Sequence, residues 1–112
     1  MARYLISFDD GTMVFPAEDL PDVARAAHEV EREAIDAGVW VFSAGLEHQV
    51  PSVVATDGTV TGGPYPERKE HLGVFAIGGV ASREEALAWA AKIAVACRCA
   101  QEVFELLPDP TV

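Results

Sequence analysis

Apolar and β-branched residues are concentrated in four short stretches of the chain. In the first of them Tyr4, Ile6 and Phe8 recur at every second position, so one face of an extended strand carries all three. The stretch that begins at Val39 is rich in aromatic and β-branched residues, which is typical of a strand. The pattern predicts strands at Arg3–Phe8, Val39–Leu46, Leu72–Gly78 and Glu102–Leu107.

A spacing of three and four residues between apolar positions predicts two helices. The first begins after Asp19, which is placed to cap the helix N-terminus, and it ends at Gly38. The second begins at Ser82, whose hydroxyl is expected to accept from the backbone of Glu85 while the Glu85 carboxylate reaches back. The apolar positions of the first helix are Leu20, Val23, Ala27, Val30, Ala34 and Ala37.

A short hairpin interrupts this series of strands and helices. The dipeptide Asp57-Gly58 favours a tight turn and lies between two stretches with strand-forming residues, Ser52–Ala55 and Thr59–Thr61. The elements then follow the order strand, helix, strand, hairpin, strand, helix, strand. This order predicts an α+β fold of the ferredoxin-like split βαβ type, with a four-stranded antiparallel sheet, two helices on one face and a β-hairpin insertion.

One face of such a sheet has no helices to cover it. The strands at or near the centre of the sheet carry Trp40, Phe42, Phe75 and Ile77. Large apolar side chains are therefore expected on both faces. We expect a second copy of the chain to cover the open face, which would give a homodimer with a cavity between the two sheets.

Composition narrows the classes of partner. The chain has 112 residues, 50% of them hydrophobic, and this length fits one domain spanning residues 1–112. A net charge of −10 makes nucleic acid and anionic membrane surfaces poor partners.

Without a membrane-spanning apolar run or a signal peptide, a cytoplasmic location is expected. Cys97 and Cys99 are too close for a structural disulfide, so we expect inert thiols in a reducing compartment.

The stretch Val60–Phe75 carries most of the candidate chemistry. It places a Gly-Gly-Pro turn and several charged side chains between two apolar runs, which is typical of a functional loop. Glu67 and Glu70 near an apolar cavity could acquire separated pKa values and act as acid and base. The alternative is a solvated charged turn whose ion pairs contribute about 0 to 1 kcal/mol each. The residues predicted to bind a ligand are Tyr65, Glu67, Lys69 and Glu70.

Two histidines are expected at the rim of the same cavity. His48 follows the second strand and His71 precedes the strand that begins at Leu72. A neutral imidazole there would serve as a base, whereas the alternative is a polar loop histidine. His48, Glu67 and His71 are the candidate catalytic residues, while His28 is expected on the side of the first helix. No metal site or cofactor is predicted, because the sequence does not guarantee another convergent ligand.

Three local patterns resemble the YCII-related family, in the branch named for an Asp-Gly-Pro-Phe motif. They read VTGGPYPERKEHLG at 60–73, EALAWAA at 85–91 and EVFE at 102–105, in the predicted order of elements. The resemblance implies a ferredoxin-like subunit that pairs into a dimeric α+β barrel, with the motif loop near the mouth of the cavity. It implies no particular reaction, since a shared fold does not carry one with it.

The chain departs from the pattern of that family at three points. Gly62 stands where the motif has Asp, and Tyr65 stands where it has Phe, so any role for that acid is absent. The sequence Cys-Arg-Cys at 97–99 occupies a turn where relatives tend to have glycine. A His and Asp pair has been proposed as a hydrolase-like site in parts of the family. His28 and Asp36 do not reproduce it, because they are separated by about 12 Å of helix rise.

Three functions remain open from the sequence. The first is a homodimeric module whose apolar cavity binds a small organic molecule. The second is an enzyme, an isomerase or a hydrolase, that works by acid and base on such a ligand, with His48 and Glu67 foremost. The third is an accessory protein whose acidic first helix binds a basic partner through Glu29, Glu31, Glu33 and Asp36.

Overall fold

A computed structural model describes residues 2–9, 14–45, 52–62 and 71–108 of the chain. Six strands and two helices occur in these ranges, together with a 3-10 turn at Ala17–Asp19. The strands are β1 (Arg3–Asp9), β2 (Trp40–Gly45), β3 (Ser52–Val54), β4 (Val60–Gly62), β5 (His71–Gly78) and β6 (Glu102–Glu105). The helices are α1 (Leu20–Asp36) and α2 (Arg83–Cys97).

Four of the strands form one antiparallel sheet in the order β2-β5-β1-β6. Strands β3 and β4 pair separately as the predicted hairpin, across a turn in which Thr59 N donates to Asp57 Oδ1 at 2.9 Å. This hydrogen bonding by Thr59 lowers the pKa of Asp57. The prediction of a mixed α+β fold with two helices, a four-stranded antiparallel sheet and a hairpin is confirmed.

One face of the sheet packs against the helices. The register places Tyr4 beside Ile77 and Ile6 beside Phe75, so alternate residues of β1 and β5 point to the same side. These four side chains are buried together with Val30, Ala34, Ala86, Ala90 and Ile93 of α1 and α2. The alternation predicted for β1 is therefore the pattern that builds the core.

The opposite face carries a continuous apolar row. Phe42, Ala76, Leu5 and Phe104 are successive neighbours across all four strands. Phe42 and Phe104, at the two ends of the row, are each 47% exposed. In the next row Ser7 is 1% exposed, and its Oγ has no hydrogen-bond partner among the described residues.

The N-terminus of α1 differs from the prediction. Asp19 occupies the capping position, but its side chain makes no capping hydrogen bond, and the 3-10 turn runs directly into the helix. Asp19 Oδ2 instead accepts a hydrogen bond from Arg98 Nη1 at 2.7 Å. A strongly basic partner at the end of α2 thus takes the carboxylate that was expected to cap α1.

The ends of α2 show one expected and one unusual feature. Glu85 N donates to Ser82 Oγ at 3.2 Å, as the capping-box pattern predicts, while the Glu85 carboxylate accepts from Ala81 N at 2.8 Å. At the other end Arg98 has φ +58° and ψ +35°, a left-handed conformation that glycine most often adopts at the end of a helix. Arg98 holds this conformation while its guanidinium reaches Asp19.

Element boundaries shift by one or two residues from the predictions. β5 begins at His71 rather than Leu72, and β6 ends at Glu105 rather than Leu107. Leu106 still follows the sheet, because its N–H donates to Arg3 O at 2.9 Å. A register shift between Trp40 and Phe42 also interrupts β2, which local sequence did not indicate.

Candidate functional site

A cavity of about 370 Å³ lies between α1 and the sheet, at the end where β2 finishes and β5 begins. Its walls come from α1, from β1, β2 and β5, and from the end of α2. Most of the lining is apolar. The apolar residues that line it include Ile6, Phe8, Leu20, Val23, Ala27, Phe75 and Ile93.

Two paired glycines provide the room for one wall of this cavity. Gly45 and Gly73 face each other across β2 and β5, and Gly73 also pairs with Phe8 on β1. A Cβ atom at Gly73 would lie 2.6 Å from Phe8 Cε1, well inside contact distance. The Phe8 ring can therefore lie over β5 only because residue 73 has no side chain.

Four polar side chains also line the cavity. His28 and Glu31 are three residues apart on α1 and so lie on one face of the helix. Ser43 Oγ accepts a hydrogen bond from Trp40 Nε1 at 3.2 Å. The side-chain amide of Gln101 donates to the Cys99 carbonyl at 3.3 Å. The site is thus an apolar space with a small number of groups able to orient a ligand.

Cys97 contributes a neutral thiol to the cavity wall. Desolvation by burial and, to a lesser extent, the neighbouring Cys99 together raise its pKa to about 11. Both cysteines are buried. A thiol held neutral in this way is a poor nucleophile at physiological pH, so the expectation of an inert Cys97 agrees with its surroundings.

Most of the predicted site residues fall outside the described part of the chain. These are His48, Tyr65, Glu67, Lys69 and Glu70. His71 is described only in its backbone, as the first residue of β5 and the partner of Asp9. Since β2 ends at Gly45 and β5 begins at His71, both predicted rim loops join the sheet at the end that forms this cavity. The cavity lies on the helix side of the sheet, whereas the cavity predicted from the sequence lies between the two sheets of a dimer.

The structure brings together two residues that are not among the predicted site residues, His28 and Glu31. His28 was expected on the side of the first helix, and Glu31 was expected only as part of an acidic surface, yet both line the cavity. They flank the buried stripe that contains Val23 and Val30. Residues on the border of an apolar stripe lie at the edge of whatever the stripe covers, and that position was the available signal.

Among the described residues, His, Cys, Asp and Glu side chains nowhere gather in a group of three or more that could hold a metal ion. Neither described helix has the length and apolar character needed to cross a membrane.

The fold and the cavity define a small α+β protein with a mainly apolar pocket between one helix and an antiparallel sheet. The family model of the YCII-related domain matches residues 10–107, and the chain belongs to this family. No curated protein matches the chain.

Proposed function

We propose that this protein is a small-molecule-binding module and that the cavity between α1 and the sheet is its ligand site. The observation that carries the proposal is the cavity itself. Its volume of about 370 Å³ lies within the range of about 300–1,000 Å³ that is usual for small-molecule sites. Apolar walls with a few polar groups at one side are the usual composition of such sites.

The proposal is tested by titrating a neutral aromatic probe, 4-phenylbutan-1-ol, into ¹⁵N-labelled protein and following backbone amide shifts. We expect saturable shifts at lining residues such as Phe75 and Ile93. Ala24 is exposed and lines the cavity, so Ala24→Phe is expected to fill the space and abolish the shifts. The matched control is Ala88→Phe, at an exposed position of α2 that does not line the cavity. Unsaturable shifts, or equal shifts in Ala24→Phe, would refute the proposal.

We further propose that the chain forms a homodimer through the open face of the sheet. The row Phe42, Ala76, Leu5 and Phe104 supports this, because a monomer would leave the large apolar rings of Phe42 and Phe104, each 47% exposed, in water. A ferredoxin-like subunit that pairs into a dimeric α+β barrel agrees with the strand order β2-β5-β1-β6.

An acid–base enzyme acting on the same ligand is the second candidate function. The placement of His28 and Glu31 on one face of α1 favours it, because an imidazole and a carboxylate then share the cavity. His48, Glu67 and His71 remain candidate catalytic residues for this function. If the protein turns over a ligand, His28→Gln is expected to lower kcat by a factor of at least about 100 while leaving binding within about threefold.

In this fold, fewer acidic side chains of α1 are available to bind a basic partner than the accessory-protein hypothesis assumed. The carboxylate of Glu33 accepts a hydrogen bond from Lys92 Nζ at 2.7 Å, and Glu31 lines the cavity. Of the acidic residues considered for binding a basic partner, Glu29 and Asp36 remain exposed on α1. Two separated carboxylates provide little electrostatic attraction at physiological ionic strength.

Assignment to the Asp-Gly-Pro-Phe branch and a cytoplasmic location complete the proposal. The branch assignment is supported by the loop pattern from Val60 to Gly73, with Gly62 and Tyr65 as its two departures. The location is supported by the one-residue gap between Cys97 and Cys99, which is too short for a structural disulfide and suits thiols in a reducing compartment.

A further inference from the structure

Among the described residues that line the cavity, the only formal charge at neutral pH is negative. Glu31 supplies a carboxylate, and no lysine or arginine is found among the described residues that line the cavity. Arg98 directly follows the lining residue Cys97, but its guanidinium is bonded to Asp19 and lies 6.0 Å from the centre of the Phe15 ring. The described walls thus offer a ligand negative charge without a compensating positive one.

Two aromatic rings line the same cavity. Phe8 lies over Gly73, as described above, and Phe75 is buried beside Ile6 on the neighbouring strand. The faces of aromatic rings attract cations because the ring quadrupole is negative there. A carboxylate combined with aromatic walls is a set of groups suited to an ammonium ion, whereas a carboxylate or phosphate ligand would be repelled by Glu31.

From this combination we infer that the ligand is a cationic amphiphile, an apolar body that carries a protonated amine. The inference rests on the proposed binding function and adds the charge of the ligand to it. The apolar walls would hold the body of the ligand, and Glu31 would bind its ammonium group. A net charge of −10 on the whole chain further favours the approach of cations over anions.

The test compares three probes that share one apolar body and differ in charge: 4-phenylbutan-1-amine, 4-phenylbutan-1-ol and 4-phenylbutanoate. Affinities are measured by amide shift titration at neutral pH and 150 mM salt. We expect the amine to bind at least about threefold more tightly than the alcohol, as an ion pair at a partly exposed site permits. The acid is expected to bind most weakly.

Two matched variants separate Glu31 from the general charge of the protein. Glu31→Gln is expected to bring the ratio of the affinity for the amine to the affinity for the alcohol close to one. Glu29→Gln removes the same charge from an exposed position of α1 that does not line the cavity, and should leave the ratio unchanged. Binding of the alcohol serves as the folding control for both variants.

The outcomes distinguish this inference from the proposed function beneath it. Equal affinities for amine and alcohol, or tightest binding of the acid, would overturn the cationic ligand and leave the cavity as a binding site. A preference for the amine that survives Glu31→Gln would overturn the role of Glu31. If none of the three probes binds, the proposed binding function fails together with the inference.

Discussion

The two faces of the central sheet are both rich in apolar side chains but differ in what covers them. On the helix side, Tyr4, Ile6 and Ile77 are at most 3% exposed. On the other side, Phe42 and Phe104 are each 47% exposed, although they belong to a row as apolar as those of the core. Hydrophobic alternation therefore specifies that a face will be buried, but only the placement of the helices decides which face the chain buries by itself.

The largest expected effect follows from removing a side chain on the helix face. Ile77 is fully buried, so Ile77→Ala should lower the free energy of unfolding by about 2–5 kcal/mol through lost contacts and a cavity. Val74 lies on β5 with its side chain on the opposite face and is half-buried, so Val74→Ala should cost less than about 1.5 kcal/mol in the monomer. Urea denaturation of both variants measures the difference.

Equal losses for these two variants would contradict the comparison of the two faces. If the loss of unfolding free energy caused by Val74→Ala rises with protein concentration, the two faces differ in what covers them. Such a dependence is expected if a second copy buries the open face, because subunit association then contributes to the measured stability.

The second prediction concerns self-association through the open face. Phe42→Glu combined with Phe104→Glu would place charges within the proposed interface, and the dimer dissociation constant should rise at least about 100-fold, or about 2.7 kcal/mol. Val95→Glu is the matched control, because Val95 is 81% exposed on α2. Analytical ultracentrifugation over a range of concentrations measures the effect. Dissociation by the Val95 variant rather than by the paired Phe variant would place the interface on the helix layer.

Much of this fold could be predicted from local pattern. The helices, the hairpin at Asp57 and the capping of α2 by Ser82 each depend on residues that are close together in the sequence. The structure confirms all three. What could not be predicted depends on contacts between distant parts of the chain. The Asp19 carboxylate does not cap α1 but accepts a hydrogen bond from Arg98, which is 79 residues away in the sequence. The cavity depends on how α1 packs against the sheet, so the sequence placed His28 only on the side of the helix.

A third prediction uses the thiol at the edge of the buried face. The pKa of Cys97 is about 11 in the folded protein, against an ordinary value of 9.0. Because the unfolded chain loses this proton first, the contribution of Cys97 to stability is complete below pH 9 and declines as the pH rises through 11. The loss should be on the order of 2–3 kcal/mol, since one pKa unit corresponds to about 1.4 kcal/mol. Denaturation of the wild type and of Cys97→Ala between pH 8 and 11 measures it. A difference between them that does not change with pH would contradict the shift.

The smallest expected effect concerns the connection that holds the two helices together at the cavity end. Arg98 adopts a left-handed backbone conformation that is unfavourable for a residue with a Cβ, and its side chain pairs with Asp19. Arg98→Ala loses the ion pair and keeps the strain, whereas Arg98→Gly loses the ion pair and relieves it. The glycine variant should therefore be about 1 kcal/mol more stable than the alanine variant. Asp19→Asn, which removes only the charge, should cost no more than about 1 kcal/mol, because the pair is partly exposed. Thermal and urea denaturation of the three variants gives these differences. If the alanine variant is as stable as the glycine variant, residue 98 at the end of α2 relaxes out of the left-handed conformation. The helices would then be held over the sheet less firmly than the Asp19–Arg98 contact indicates.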